Sequence, residues 1–196
     1  MTLSASPADG LTAVTVTALE MTSAAAISPG REPAVPAQLI RVGRPTPEYS
    51  RFFYRSVGGD WYWVDRIPWT YDQWTEWISA PGYEMWVCLV DGSPAGYFEL
   101  DRQSDGNVEL AYFGLMPGYN GVGLGGWLLT QALVQAWSTS ETTRVWVHTC
   151  DLDSPTALVN YKARGLTPYE TTTEYRDLRS PTPGPWLGSR RSVEFS

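Results

Sequence analysis

The chain of 196 residues has few residues that ligate metals or form disulfides: its cysteines are Cys88 and Cys150, and its one histidine is His148. This content predicts no metal site and fits a reducing cytoplasm. No apolar run approaches the roughly 18 residues that cross a bilayer, and no signal peptide is recognisable at the N-terminus. We therefore expect a cytoplasmic protein with no membrane partner.

Positive charge is also scarce. Lys and Arg number 14 against 21 Asp and Glu, which gives a net charge of −7 at pH 7. A nucleic-acid backbone is bound through clustered basic residues, so we expect no nucleic-acid partner. An acidic protein instead favours cationic partners such as amines.

Aromatic residues are abundant, with ten Trp and eleven Tyr, and the length suits one domain with extra segments at its ends. Residues 1–37 are interpreted as an N-terminal extension, with a strand over 11–23 followed by a Pro-rich linker. Residues 38–177 form the main domain. Residues 178–196 are a tail without periodicity.

Hydrophobic periodicity predicts, in order, a strand, two helices, a three-strand meander, a helix, a strand, a helix and a last strand, with a short strand after the linker. This order indicates an α+β or α/β fold with a mixed sheet. Turn and cap residues mark several boundaries: Thr46 and Pro47 at the first helix, Thr70 at the second, a hairpin turn at Asp91-Gly92, and Asp153 or Ser154 as the cap of the last helix.

The stretch YNGVGLGGWLL, residues 119–129, has four glycines in six positions before an apolar helix. A Walker A loop would need Lys after its last glycine, but Trp127 follows Gly126. A dinucleotide fingerprint needs a βαβ context and an acidic residue about 20 positions on, where Arg144 lies instead. The remaining interpretation is a nest of backbone N–H groups at a helix N-terminus, which binds a pyrophosphate without a cationic side chain.

Two blocks then resemble the GCN5-related N-acetyltransferase (GNAT) superfamily. Residues 120–125, NGVGLG, resemble its acetyl-CoA motif Q/R-x-x-G-x-G/A, with Asn120 in place of Gln or Arg. Ala157, Tyr161, Gly165 and Leu166 resemble its A-x-x-x-Y-x-x-x-G-F pattern, with Leu for Phe. The resemblance implies a GNAT fold of six to seven strands and four helices, and acetyl-CoA as co-substrate. It implies coenzyme contacts at Leu115, Asn120, Gly121, Val122, Gly123, Leu124, Gly125 and Gly126.

The resemblance also implies catalytic roles. Glu109, eleven residues before Asn120, resembles the general base of the family, and Tyr161 resembles its acid for the departing thiolate. A backbone N–H near Leu115 would stabilise the oxyanion. His148 could assist proton transfer or be structural, and Cys150 is interpreted as a small buried residue.

The segment GDWYWVDRIPW corresponds to part of the acceptor site in the family. Its rings and carboxylates could form an aromatic wall that holds an amine, or they could be core packing. The candidate acceptor residues are Trp61, Tyr62, Trp63, Asp65 (or Asp60), Trp69 and His148.

The resemblance implies direct acetyl transfer, through a ternary complex, to a primary amine of a small or amino-acid-like molecule. Acetylation of a protein N-terminus or lysine, and a non-catalytic coenzyme-binding role, stay open as alternatives. So does a homodimer.

Overall fold

A computed structural model describes residues 10–178 and Gly184. Apart from Leu178 and Gly184, the predicted tail over 178–196 lies outside the described residues. The strands are β1 Thr12–Met21, β2 Ala37–Arg41, β3 Tyr83–Val90, β4 Ser93–Arg102, β5 Asn107–Leu115, β6 Arg144–Cys150 and β7 Thr167–Arg176. The helices are α1 Pro47–Gly58, α2 Tyr71–Ile78, α3 Leu124–Ala136 and α4 Ala157–Ala163. This is the predicted order of elements.

Local sequence signals explain most helix starts and turns. The Thr46 hydroxyl accepts a hydrogen bond from the Tyr49 N–H at the start of α1, and Thr70 forms a reciprocal capping box with Gln73 at α2. At α4 the prediction was wrong, because Thr156 occupies the cap position and makes no side-chain cap bond. The carboxylate of Asp153 has other partners, described below.

All seven strands form one mixed sheet in the order β2-β3-β4-β5-β6-β1-β7. β5 and β6 are parallel and the other neighbours are antiparallel. β1, the strand predicted in the N-terminal extension, pairs with β6 on one side and β7 on the other. Val14 and Leu19 on β1 are fully buried, so this strand is an interior part of the sheet.

Helices cover both faces of the sheet. Leu128, Leu129 and Leu133 of α3 and Tyr161 of α4 join the larger core cluster. On the other face α1 contributes Phe53 to a second cluster. No helix in the described part of the chain has the length and hydropathy to cross a bilayer.

The parallel strands β5 and β6 separate at their carboxyl ends. Their pairing is limited to Asn107 with Arg144, Val108 with Val145, and Glu109 with Trp146. Beyond these three pairs the strands diverge into a fork, and β5 also carries an unpaired extra residue, Ala111, in its ladder with β4. The fork leaves room between two strands for a ligand.

Candidate active site

A cavity of about 830 Å³ opens in this fork. Residues 110–115 of β5 and 147–150 of β6 form its two sides. The glycine loop and α4 border one end, and the segment after α1 borders the other. Where β5 no longer pairs with β6, the backbone groups along its edge face the cavity. They can bind the amide groups of an extended ligand.

The glycine loop adopts a backbone that favours glycine. Gly121 and Gly123 have φ of +83° and +80°, and Gly123 is the N-cap of α3 without a side-chain cap bond. A Cβ at Gly121 would meet open space rather than protein. The N-terminus of α3, with its free N–H groups, therefore faces space that a phosphate can approach closely.

Most predicted coenzyme residues line the cavity, namely Leu115, Asn120, Gly121, Gly123, Gly125 and Gly126. Val122 and Leu124 are not among the lining residues. Leu124 is fully buried in the core below the loop. The Val122 carbonyl accepts a hydrogen bond from Ala34 of the linker at 3.3 Å.

Tyr161 reaches the cavity from α4. Its ring is 6% exposed and makes an edge contact with Phe113 at 6.1 Å between ring centroids. Burial and the charge of Asp153 raise the pKa of Tyr161 above its usual range, so the hydroxyl stays protonated at neutral pH. Within residues 10–178 the Tyr161 hydroxyl has no hydrogen-bond partner, which leaves its proton available to a ligand.

Glu109 does not line the cavity, whereas His148 does. Glu109 Oε1 lies 3.5 Å from His148 Nδ1, and its Oε2 accepts a hydrogen bond from Gln103 Nε2 at 3.0 Å. Gln103 Oε1 in turn accepts from Trp146 Nε1 at 3.2 Å. The predicted base therefore lies beside the cavity with His148 between the two, and Gln103, which the sequence did not suggest, holds the carboxylate.

The pKa of His148 is raised above its usual range. Hydrogen bonding to the Glu109 carboxylate is the main cause, and the charges of Glu109, Asp153 and Glu174 add to it against the effect of burial. With Nδ1 turned to Glu109, Nε2 on the far side of the ring is left for a ligand. The His148 side chain is 55% exposed, so solvent and ligands reach it.

Some of the candidate acceptor residues form an aromatic wall of the cavity. Trp61, Tyr62, Trp63 and Asp65 line the cavity. Trp69 does not, because its indole packs 4.4 Å from the Arg66 guanidinium and 5.3 Å from Trp74. Asp60 also lies outside the lining. Tyr112, which the sequence analysis did not single out, completes the wall 5.0 Å from Trp63.

A buried arginine holds this wall in place. The Arg66 guanidinium lies 3.9 Å from the Trp77 ring and 4.3 Å from the Tyr112 ring. Its Nη1 lies 3.6 Å from Oε2 of the buried Glu99. Since a buried charge needs such partners, the segment between α1 and α2 is fixed to the sheet at Arg66.

Asp153 joins the wall to β6. Its carboxylate accepts hydrogen bonds from Trp63 Nε1 at 3.2 Å, Thr149 Oγ1 at 2.6 Å and the Cys150 N–H at 3.2 Å. Cys150 lines the cavity and is only partly buried. Burial and Asp153 raise the pKa of its thiol, which disfavours a thiolate nucleophile. Residues 10–178 contain no cluster of His, Cys, Asp or Glu arranged to hold a metal ion.

Comparison with known proteins agrees with this geometry. Residues 49–166 match the acetyltransferase (GNAT) family. The chain belongs to the GNAT family. The matched range runs from the first turn of α1 to three residues past α4 and so contains the glycine loop, Glu109, His148 and Tyr161. No curated protein sequence matches this GNAT chain.

Solved structures share the GNAT fold. A GCN5-related N-acetyltransferase from Kribbella flavida superposes with a TM-score of 0.60 at 20% identity, covering 85% of this chain and 59% of that one. One from Sphaerobacter thermophilus gives 0.59 at 15%, covering 88% and 54%. Spermidine N-acetyltransferase from Vibrio cholerae, in complex with CoA and spermine, gives 0.53 at 16%, covering 66% and 79%. The GNAT chain thus spans less than two thirds of the length of the first two.

Proposed function

We propose that this GNAT chain transfers the acetyl group of acetyl-CoA directly to the primary amine of a small cationic molecule. The observation that carries the proposal is the continuous cavity. It runs from the glycine loop, along the open edge of β5, to His148 and the aromatic wall. One end suits a phosphate-bearing coenzyme and the other a cationic amine.

His148 accepts the proton in this proposal. An alkylammonium must lose a proton before its nitrogen can attack a carbonyl. The neutral imidazole takes that proton at Nε2, and Glu109 stabilises the imidazolium that forms. Glu109 is then a positioning residue, whereas the family resemblance assigned it the role of the base itself.

Tyr161 and the β5 backbone act on the thioester. As the amine nitrogen bonds to the carbonyl carbon, negative charge develops on the oxygen, where a backbone N–H near Leu115 can donate. The C–S bond then breaks, and the Tyr161 hydroxyl gives its proton to the leaving sulfur. Its raised pKa keeps that proton in place until this step. The nitrogen loses its second proton as the amide forms, and that proton restores the tyrosine.

The acceptor end favours a compact cation. Asp65 and Asp153 bring carboxylates to the cavity, where Glu174 is paired with Arg176. Trp61 and Trp63 bring ring faces that attract ammonium groups. The net charge of −7 acts in the same direction. Spermidine, the substrate named for the Vibrio cholerae neighbour, is one amine of this kind.

The test is release of free CoA from acetyl-CoA in the presence of a panel of amines, amino acids and short peptides. We expect turnover with small amines that carry positive charge. Turnover with peptides alone would establish the protein-acetylating alternative. Acetyl-CoA binding without turnover of any acceptor would support the non-catalytic role and overturn the proposal.

Replacing Tyr161 with Phe tests the acid. The ring and its packing stay, and the removed hydroxyl has no partner within the described chain, so stability and acetyl-CoA affinity should hardly change. The turnover number is expected to fall about tenfold to a thousandfold, since the hydroxyl acts only as the C–S bond breaks. Steady-state kinetics and thermal melts on the same protein measure both effects.

Tyr97→Phe is the matched control for this change. Tyr97 is fully buried, its hydroxyl has no hydrogen-bond partner within the described residues, and it does not line the cavity. Its replacement should leave turnover unchanged. Equal losses in the two variants would show that Tyr161 is only a packing residue.

Glu109→Gln tests the positioning role through pH. The carboxylate raises the pKa of His148, so its neutral replacement lowers that pKa. The rate rises with pH as His148 loses its proton, and in the variant this rise should occur at lower pH. A pH–rate profile measures it. If the rate instead falls strongly, recovers only at high pH, and shows no displacement of its rise with pH, then Glu109 is the base.

A further inference from the structure

A second cavity, of about 490 Å³, lies between α1 and the start of α2. It shares no lining residue with the cavity that contains His148 and Tyr161. Its volume is within the roughly 300–1,000 Å³ that is typical of sites for small molecules. We call it the helix groove, and the lining residues that matter here are Glu48, Arg51, Phe52, Arg55, Trp69, Tyr71 and Trp74.

Two unpaired arginines line the helix groove. Arg51 and Arg55 are four residues apart on α1, so their side chains lie on the same face of the helix. Neither side chain forms an ion pair or a hydrogen bond with any residue from 10 to 178, and the Glu48 carboxylate lies beyond ion-pair distance of both. Like charges at this spacing repel each other, and an anion bound between them would remove that repulsion.

Two buried donors border the same groove without an acceptor. Arg55 Nε and Trp74 Nε1 are both buried and have no hydrogen-bond partner among the described residues. Trp74 as a whole is only 1% exposed. Because buried donors in native proteins are almost always satisfied, two such donors at one groove indicate a ligand that brings acceptor oxygens.

Aromatic rings form the rest of the helix groove. Phe52 and Tyr71 are exposed although both are large and apolar. Trp69 and Trp74 pack edge to face with ring centroids 5.3 Å apart, which holds the two indoles in a fixed position. Trp69, which was predicted to bind the acceptor, therefore faces this second cavity. These rings suit a flat apolar group next to the anion.

We propose that the helix groove binds a small aromatic carboxylate. Its carboxylate lies between Arg51 and Arg55, and its ring lies against Phe52, Trp69 and Tyr71. A guanidinium matches the two oxygens of a carboxylate with parallel N–H···O bonds. A free phosphate would leave the rings without a contact, and an amine would be repelled by the arginines. The site does not depend on acetyl transfer, because its residues are separate from those of the first cavity.

The experiment is calorimetric titration of the full chain with benzoate, benzamide, acetate and inorganic phosphate. We expect benzoate to bind at least about tenfold more tightly than the other three, since benzamide lacks the charge and acetate and phosphate lack the ring. Saturating acetyl-CoA should leave benzoate binding in place. Tighter binding of phosphate or benzamide than of benzoate, or displacement of benzoate by acetyl-CoA, would overturn the inference.

Three substitutions assign the binding to the groove. Arg55→Gln should weaken benzoate binding about tenfold to a hundredfold, because charge-assisted bonds are lost. Arg51→Gln should weaken it as well, and because Arg51 is exposed, this variant tests the site even if Arg55→Gln melts early. Glu48→Gln should strengthen binding, since it removes a negative charge from the groove. A structural role of the arginines alone would not produce this gain.

Arg44→Gln is the matched control. Arg44 precedes α1, is exposed and lines neither cavity, so the variant makes the same change in net charge outside the groove. Its benzoate affinity should equal that of the wild-type protein. Equal weakening by Arg44→Gln and Arg55→Gln, unchanged affinity in both Arg51→Gln and Arg55→Gln, or no benzoate binding by the wild-type protein would show that the groove is not this site.

Discussion

Gly121→Asp is expected to weaken acetyl-CoA binding by at least about a hundredfold while the fold persists. The new carboxylate would lie at the cavity beside the α3 terminus, where the phosphates are expected, and like charges repel strongly at such short distances. A Cβ at this position meets no protein atom within 4 Å, so the side chain itself causes no clash. Calorimetry with acetyl-CoA gives the affinity, and thermal melting gives the stability.

Gly118→Asp separates charge from backbone strain. Gly118 has φ of +98°, a Cβ there also meets open space, and the residue does not line the cavity. Both variants place Asp in the left-handed region, at a cost of about 1–2 kcal/mol. Their melting temperatures should fall similarly, while only Gly121→Asp loses affinity. Equal loss of affinity in the two variants would mean that glycine is needed for the geometry of the loop and not for the approach of phosphate.

His148→Ala is expected to lower the turnover number about a hundredfold to a thousandfold, within the usual range for loss of a general base. Acetyl-CoA affinity should be unchanged, because His148 lies on β6, away from the glycine loop. The rise of rate with pH that follows deprotonation of His148 should disappear. Pre-steady-state and steady-state rates over a range of pH measure these effects.

Added imidazole provides the control for this variant. The His148 side chain is 55% exposed and borders an open cavity, so a small base can enter the space that the substitution creates. Imidazole should restore part of the rate in His148→Ala and leave the wild-type protein unaffected. Full activity of the variant without imidazole would show that another group, or solvent, takes the proton.

Local structure could be predicted from the sequence because it depends on neighbours in the chain. A threonine cap bonds an N–H three residues on, and the Asp91-Gly92 turn, with φ of +50° and +77°, needs only its two residues. The glycine loop and the pattern that contains Tyr161, over residues 157–166, are also short motifs of residues close together in the chain. They were sufficient to identify the family and the position of Tyr161 on a helix, and they predict that the coenzyme binds at the end of the cavity where the glycine loop lies.

The contacts across strands required the tertiary structure. Alternation along β6 places Trp146, His148 and Cys150 on one face, but it does not show that Glu109 lies against His148, since that depends on which strands are neighbours. The role of Asp153 could not be predicted for the same reason, because its hydrogen bond with Trp63 joins residues 90 positions apart in the chain. Asp153 was predicted to cap a helix because Asp often has that role, in which it bonds only to residues nearby in the chain.

The sequence by itself determined the order of elements, the glycine loop and the family resemblance, since these follow from periodicity and from motifs a few residues long. Only the tertiary structure placed β1 between β6 and β7, packed Trp69 away from the aromatic wall, and brought Glu109 against His148. Each of these arrangements joins segments that are far apart in the chain. Such contacts are set by packing of the whole sheet and its helices, which no local pattern encodes.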